Sequence, residues 1–205
     1  MTRSSPYLLA TRSGGKLREL EPLFAGAGIE VITLDRAGIA ESPDESGIEV
    51  FSSFEENALA KARHFHALSG LPTLADDSGL EVHALGGEPG VRSKRWSGRD
   101  DLTGVALDEA NNAGLLLALR GRSSRRARYV CVAALATIGG ELTRRGEVEG
   151  EILEQPRGSG GFGYDPLFFA AELEKTFGEA SLQEKERVSH RGRAFRELLR
   201  AMRGG

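Results

Sequence analysis

The opening of the chain restricts its fold more than any other stretch. Tyr7 to Ala10 is a short apolar run and reads as a strand. It meets Thr11-Arg12-Ser13-Gly14-Gly15-Lys16, after which Leu17, Leu20 and Phe24 recur on one face of a helix. Pro22 falls inside that helix and is expected to kink it; Gly26 and Gly28 are expected to end it. Ile29 to Leu34 reads as a second strand. Strand, loop, helix and strand in this order predict an α/β architecture.

The remaining elements follow from periodicity and punctuation. Gly38 to Gly47 is polar, contains Pro43 and reads as loop. Ser53 with Glu56 three residues on fits a capping box, opening a helix to about Ser69 with Phe54, Ala58, Ala62 and Phe65 inward. Gly70 and Pro72 stop it. Thr73 to Ala75 reads as a brief strand ending at Asp76-Asp77-Ser78-Gly79, Leu80 to Leu85 as short and extended, and Gly86 to Gly98 as loop. Asp101 to Leu119 is expected to be helical, with Leu102, Ala106, Ala113 and Leu116 or Leu117 inward and Gly121 at its end. Tyr129 to Ile138 and Leu142 to Ile152 flank Gly139-Gly140 as a hairpin. Leu167 to Phe169 is one more strand candidate, and Ser189 to Met202 a final helix.

At 205 residues, 40% hydrophobic and 28% charged, the chain suits one domain over residues 1–205, or a closely joined pair of lobes, with residues 1–6 as a flexible polar tail. The net charge of −3 is not gathered in a tail, which argues against a nucleic-acid or membrane surface. The basic run Arg120 to Arg128 reads as a solvated loop. Cys131 stands alone in an apolar run and reads as a buried small hydrophobe. No apolar stretch approaches the roughly 20 residues of a membrane span, and nothing resembles a signal peptide, so the cytoplasm is the expected location.

Several polar clusters offer chemistry. Asp76 and Asp77 are either turn-forming residues or crevice carboxylates; on extended chain they point to opposite sides, so they would not share one role. Glu49 is either a solvated carboxylate or, with Asp77, half of a two-carboxylate Mg²⁺ site completed by waters and phosphates. Gly14-Gly15-Lys16 at a helix start is either a plain helix terminus or a phosphate grip, though not a Walker loop, which would need Gly at Ala10 and Ser or Thr at Leu17. Gly158 to Gly163 satisfies G-x-G-x-x-G, but Pro156 before it and Tyr164-Asp165-Pro166 after it leave no strand and helix for a dinucleotide fingerprint. Phe162 within it is either core or a surface for a base. Lys185 with Ser189-His190-Arg191 is either a solvated helix start or a set of donors to base carbonyls.

Taken in order, these pieces resemble the inosine triphosphate pyrophosphatase family. The residues that carry the resemblance are Thr11 to Lys16, Ser53 to Ala58 with Lys61-Ala62, and Leu74 to Leu80. They continue through Gly90, Ser93, Arg95, Ser97 and Gly98, then Gly160 to Pro166 and Ser189 to Gly192. The resemblance implies a mixed central β-sheet flanked by helices, in two lobes with the active-site cleft between them. It implies Mg²⁺-dependent hydrolysis of deaminated purine nucleoside triphosphates (ITP, dITP, XTP) to the monophosphate and pyrophosphate, by a homodimer. By position, Asp77 resembles the catalytic acidic residue, a proton acceptor and metal ligand, and Glu49 the second metal ligand. Thr11, Arg12, Ser13, Gly14, Gly15 and Lys16 resemble the triphosphate loop. Ser78 would touch substrate, Phe162, Gly163, Tyr164 and Asp165 would hold base and sugar, and Lys185, His190 and Arg191 would meet the 6-keto group. Two departures stand out: Ser13 where the family usually has Asn, and Lys94 where it has a small residue. A nucleotide-binding protein with weak catalysis, or a pyrophosphatase of different base specificity, is the alternative expectation.

Overall fold

A computed structural model describes residues 5–204, so most of the tail expected over residues 1–6 lies outside the described residues. β1 (Tyr7–Leu9), α1 (Gly14–Gly26) and β2 (Val31–Thr33) form the expected opening, with Leu20 and Phe24 buried. A 3₁₀ turn (Pro43–Gly47) interrupts the predicted loop, capped by Ser42 and Glu45. α2 (Phe54–Ser69) starts at Ser53, whose side chain accepts from the Glu56 N–H. It ends at Gly70 in the left-handed conformation. Its buried face holds the four expected apolar residues and also Asn57.

The next stretch departs from expectation. β3 (Thr73–Val82) runs unbroken through Asp76-Asp77-Ser78-Gly79, where the sequence suggested a strand end. Nearly every residue of it is buried. Turn-forming residue types tolerate this strand because their polar groups find partners across the fold, described below. Two 3₁₀ turns follow (His83–Leu85 and Gly90–Arg95), then α3 (Gly104–Ala118). The expected helix phase holds only in part: Leu116 packs against the core, but Ala106, Ala113 and Leu117 are exposed, while Asn111, Leu115 and Leu119 just beyond the helix are buried. The leucine run 115–117 is compatible with more than one phase, and Asn111 selects this one. Its side chain accepts from Ser97 N (2.8 Å) and donates to the Lys94 carbonyl (3.0 Å).

β4 (Arg126–Thr137) and β5 (Gly140–Ile152) are the expected hairpin. β4 begins inside the basic run, where Arg120, Arg122 and Arg126 are exposed as expected but Arg125 and Arg128 are engaged. Arg125 donates to the Ile152 and Leu153 carbonyls, and Arg128 pairs with Glu81 and Glu147. β6 (Phe168–Ala170), β7 (Lys175–Thr176), α4 (Leu182–Val188) and α5 (His190–Gly204) complete the chain. β7 and α4 were not anticipated, although Ser181 and Glu184 form a capping box legible in the sequence.

The strands form one seven-stranded sheet in the order β2-β1-β3-β4-β5-β6-β7. β1 is parallel to β2 and β3, while β6 is antiparallel to β5 and β7. The sheet is therefore mixed, as expected. The chain divides into two compact units. The first comprises residues up to Asp77, Cys131–Arg145, and the chain from Ala194 onward. The second comprises Ser78–Val130 and Gly146–Arg193. The first packs Leu9, Leu20, Phe24, Leu74 and Cys131 against Phe195 and Leu198. The second packs Leu80, Leu115, Tyr129, Val148, Phe168 and Phe177. Among the described residues, no helix is long and apolar enough to cross a membrane.

Candidate active site

In the first unit, β3 delivers two adjacent carboxylates with different surroundings. Asp76 is 1% exposed and Asp77 9%. Lys16, from the first turn of α1, places Nζ 3.0 Å from Asp76 Oδ2 and also donates to the Asp76 backbone carbonyl (3.3 Å). Lys61, from α2, donates to the same carbonyl (2.9 Å) and ion-pairs with Glu49. The Cys131 thiol lies 3.6 Å from Asp76 Oδ2. Asp76 thus meets two ammonium groups.

Asp77 instead receives a hydrogen bond from Asn57 Nδ2 to Oδ2 (2.9 Å). Burial pushes its carboxyl above the usual aspartate range, Lys16 and Lys61 pull it back in part, and the charge on Glu49 pushes it further up. Burial also pushes Glu49 up, but Lys61 and Lys16 more than offset this and leave it below its usual range. Asn57 has a second task. It accepts from Phe51 N (2.9 Å) and donates to the Phe51 carbonyl (3.3 Å), which ties the segment just after Glu49 to the helix that faces Asp77. Neither Asn57 nor Lys61 was given a role from sequence, although both belong to the motif quoted above. The available signal was their spacing: one turn apart, they form a polar pair beside an apolar helix face.

The loop of Thr11 to Lys16 is built as a helix terminus. Ser13 is the N-cap of α1, and its side chain accepts from Lys16 N (3.4 Å). Serine therefore fulfils the capping role at the position where the resemblance leads one to expect Asn. Thr11 Oγ1 accepts from Ser13 N (3.1 Å). Gly14 and Gly15 open the helix, where N–H groups and the dipole favour an anion. Arg12 is differently employed. Its guanidinium takes Glu45 through two nitrogens (3.2 and 2.7 Å), Asp35 (3.3 Å) and the Ile39 carbonyl (3.0 Å), strapping the 3₁₀ turn to the loop.

Glu49 and Asp77 offer carboxylate oxygens to a cation. Among the described residues, no group of three or more His, Cys, Asp and Glu side chains is arranged to hold one. Glu49 and Asp77 nevertheless fit a hard ion such as Mg²⁺, which needs one or two carboxylates and takes its other oxygens from water and phosphate. Their mutual repulsion is what a cation would relieve.

The second unit holds the other candidates. Asp165 and Lys185 form an ion pair (2.5 Å) in which neither side chain is more than 4% exposed. Asp165 also accepts from Phe162 N (2.8 Å) and the Tyr129 hydroxyl (3.4 Å). Gly161 has φ 73°, and a Cβ there would lie 2.0 Å from Asp165 Oδ2, so this turn admits only glycine. Lys185 Nζ and the Arg191 guanidinium lie 5.0 and 5.6 Å from the centre of the Phe162 ring. His190 stacks on Tyr129 at 4.5 Å with the rings 5° apart. Arg191 donates to Ser78 Oγ (2.8 Å). Phe162, Asp165, Lys185 and Arg191 are thus brought together, with Ser78 joined through Arg191. Tyr164 is buried, and its hydroxyl donates to the Ser93 carbonyl (2.8 Å), a packing role. Gly163 is bound by α3 through both its backbone groups.

Comparison with known proteins places the chain in a family. The model of the Ham1 family matches residues 7–201. The dITP/XTP pyrophosphatase of Thermus thermophilus is 48% identical, over all of this chain and 95% of that protein. That of Syntrophobacter fumaroxidans is 50% identical, over 94% and 80% respectively. A HAM1 protein from Coxiella burnetii superimposes with a TM-score of 0.83 at 36% identity, covering 98% of this chain and 100% of that one. A nucleoside-triphosphatase / dITP/XTP pyrophosphatase from Mycobacterium abscessus gives 0.71 at 41%, covering 95% and 99%. A match that runs unbroken from β1 into α5 makes this chain a member of the Ham1 family.

Proposed function

We propose that this protein is a nucleoside-triphosphate pyrophosphatase acting on deaminated purine nucleotides (ITP, dITP and XTP), releasing the monophosphate and pyrophosphate with Mg²⁺ as cofactor. The relatives named dITP/XTP pyrophosphatase support the reaction class. The observation that carries the reading is the convergence of Lys16 and Lys61 on Asp76, beside a buried Asp77 held above its usual pKa. Two ammonium groups and a helix terminus suit a triphosphate. Asp77, a buried carboxylate oriented by Asn57, is suited to take a proton from the attacking water. The water oxygen bonds to the α-phosphorus, the α–β anhydride bond breaks, and pyrophosphate leaves. Mg²⁺ held by Glu49 and Asp77 would supply charge neutralisation on the phosphates.

The second set of residues suits the base. Phe162 offers a stacking face, and Lys185, His190 and Arg191 offer donors. A 6-keto purine presents an acceptor to such donors, whereas ATP presents an amino group and leaves them unsatisfied, at a cost of about 1–3 kcal/mol. The homodimer and cytoplasmic location implied by the family belong to the same proposal. The test is pyrophosphate release from ITP, dITP, XTP, GTP and ATP, with Mg²⁺ and with EDTA. The deaminated substrates are expected to exceed ATP by roughly 5- to 150-fold in kcat/KM, matching that energy, and EDTA is expected to stop turnover. Equal rates on all five would remove the base specificity; undiminished turnover in EDTA would remove the metal.

A further inference from the structure

Helix α3 holds the residue next to Phe162 by both of its backbone groups. The Gly163 N–H donates to Asp108 Oδ2 (2.7 Å), and Asn112 Nδ2 donates to the Gly163 carbonyl (3.0 Å). Asp108 and Asn112 are one helical turn apart, so a single face of α3 makes both bonds. On the other side of the aromatic, the Phe162 N–H is taken by Asp165. The helix also packs through Leu115, which is fully buried and takes no part in these bonds. The segment, by contrast, needs holding. Gly158, Gly161 and Gly163 all sit at positive φ, and a chain so rich in glycine has much freedom to lose on ordering.

We infer that Asp108 and Asn112 are positioning residues for base recognition: they fix the Phe162 ring before the nucleotide arrives. The inference rests on the reading of Phe162 as the face on which the base stacks. A ring ordered at folding need not be ordered at binding, so the benefit falls on affinity for substrates that carry a base. Both residues act on the Gly163 backbone, so the expected effect is on binding of the base and not on the chemical step.

The experiment is steady-state kinetics on ITP with the intact chain. Asp108→Ala/Asn112→Ala is expected to raise KM about tenfold with kcat changed less than about twofold. Asp108→Asn, whose amide oxygen still accepts the Gly163 N–H, is expected to keep the wild-type KM. Inorganic tripolyphosphate has no base, and its inhibition constant is expected to stay unchanged in the double variant. In a Phe162→Ala background the same pair of substitutions is expected to add nothing. A parallel loss of tripolyphosphate affinity, or a full further loss in the Phe162→Ala background, would overturn the inference by showing a general structural role. A harmful Phe162→Ala with a neutral double variant would overturn the inference alone. A neutral Phe162→Ala would overturn the stacking reading and the inference together.

Discussion

Asp77→Asn is expected to lower pyrophosphate release from ITP by about 10²- to 10⁴-fold, the range for loss of a positioned general base. The substitution is nearly isosteric, and its amide oxygen still accepts from Asn57, so the site geometry should survive. Stability is expected to move the other way. The raised pKa means that Asp77 binds its proton more tightly in the folded state than in the unfolded one. Its contribution is then fully present below the ordinary aspartate range and is lost as pH rises through the raised value. At neutral pH the ionised carboxylate is therefore a cost that asparagine lacks. Thermal melts in EDTA are expected to show Asp77→Asn at or above the wild type at pH 7, with the gap closing as pH falls toward the ordinary carboxylate range. A variant with wild-type turnover would end the catalytic assignment. A variant inactive because it melts far earlier would end the electrostatic account.

Lys185→Met is expected to have the largest effect on stability. It leaves the Asp165 carboxylate buried without its cation, and breaking such a pair from one side costs about 3–5 kcal/mol. For a chain of this size that corresponds to roughly 6–20 °C in melting temperature. Adding Asp165→Asn removes the stranded charge and keeps an acceptor for Phe162 N, so the double variant is expected to recover at least half of the loss. The check is a melting series on both singles and the double. If the double variant melts no higher than Lys185→Met, the ion pair is not what stabilises this turn. The same residues carry the proposed donors to the base, so the recovered double variant is also expected to lose preference for ITP over ATP while remaining folded.

The elements of the fold are unequally legible in the sequence. α2 could be drawn almost residue by residue, because Ser53 caps it, Gly70 ends it, and its apolar spacing admits one phase. β3 could not. Asp-Asp-Ser-Gly is turn composition by local chemistry, and only partners distant in sequence, from Lys16 to Arg191, make a buried strand of it. α3 was legible in phase only in part, with Leu116 inward but Ala106 and Ala113 exposed, for a related reason. A leucine run carries little directional information, and the residue that orients the helix, Asn111, is polar and is buried through bonds to the backbone. The candidate site followed the same division. Lys16, Asp77, Asp165 and Lys185 could be named because their motifs are ordered along the chain. Asn57, Asp108 and Asn112 could not, because each acts by holding backbone that only the fold brings near. Arg12 shows the reverse: its loop suggested phosphate, and its guanidinium is engaged by Glu45.

The burial of Cys131 has a practical consequence. It is the chain's single thiol, fully enclosed in the core of the first unit beside Asp76. A thiol reagent can reach it only when that core opens. The chain therefore carries its own gauge of opening, set at the strand next to the acidic pair, and labelling rates read without and with nucleotide would report how firmly occupancy closes that part of the sheet.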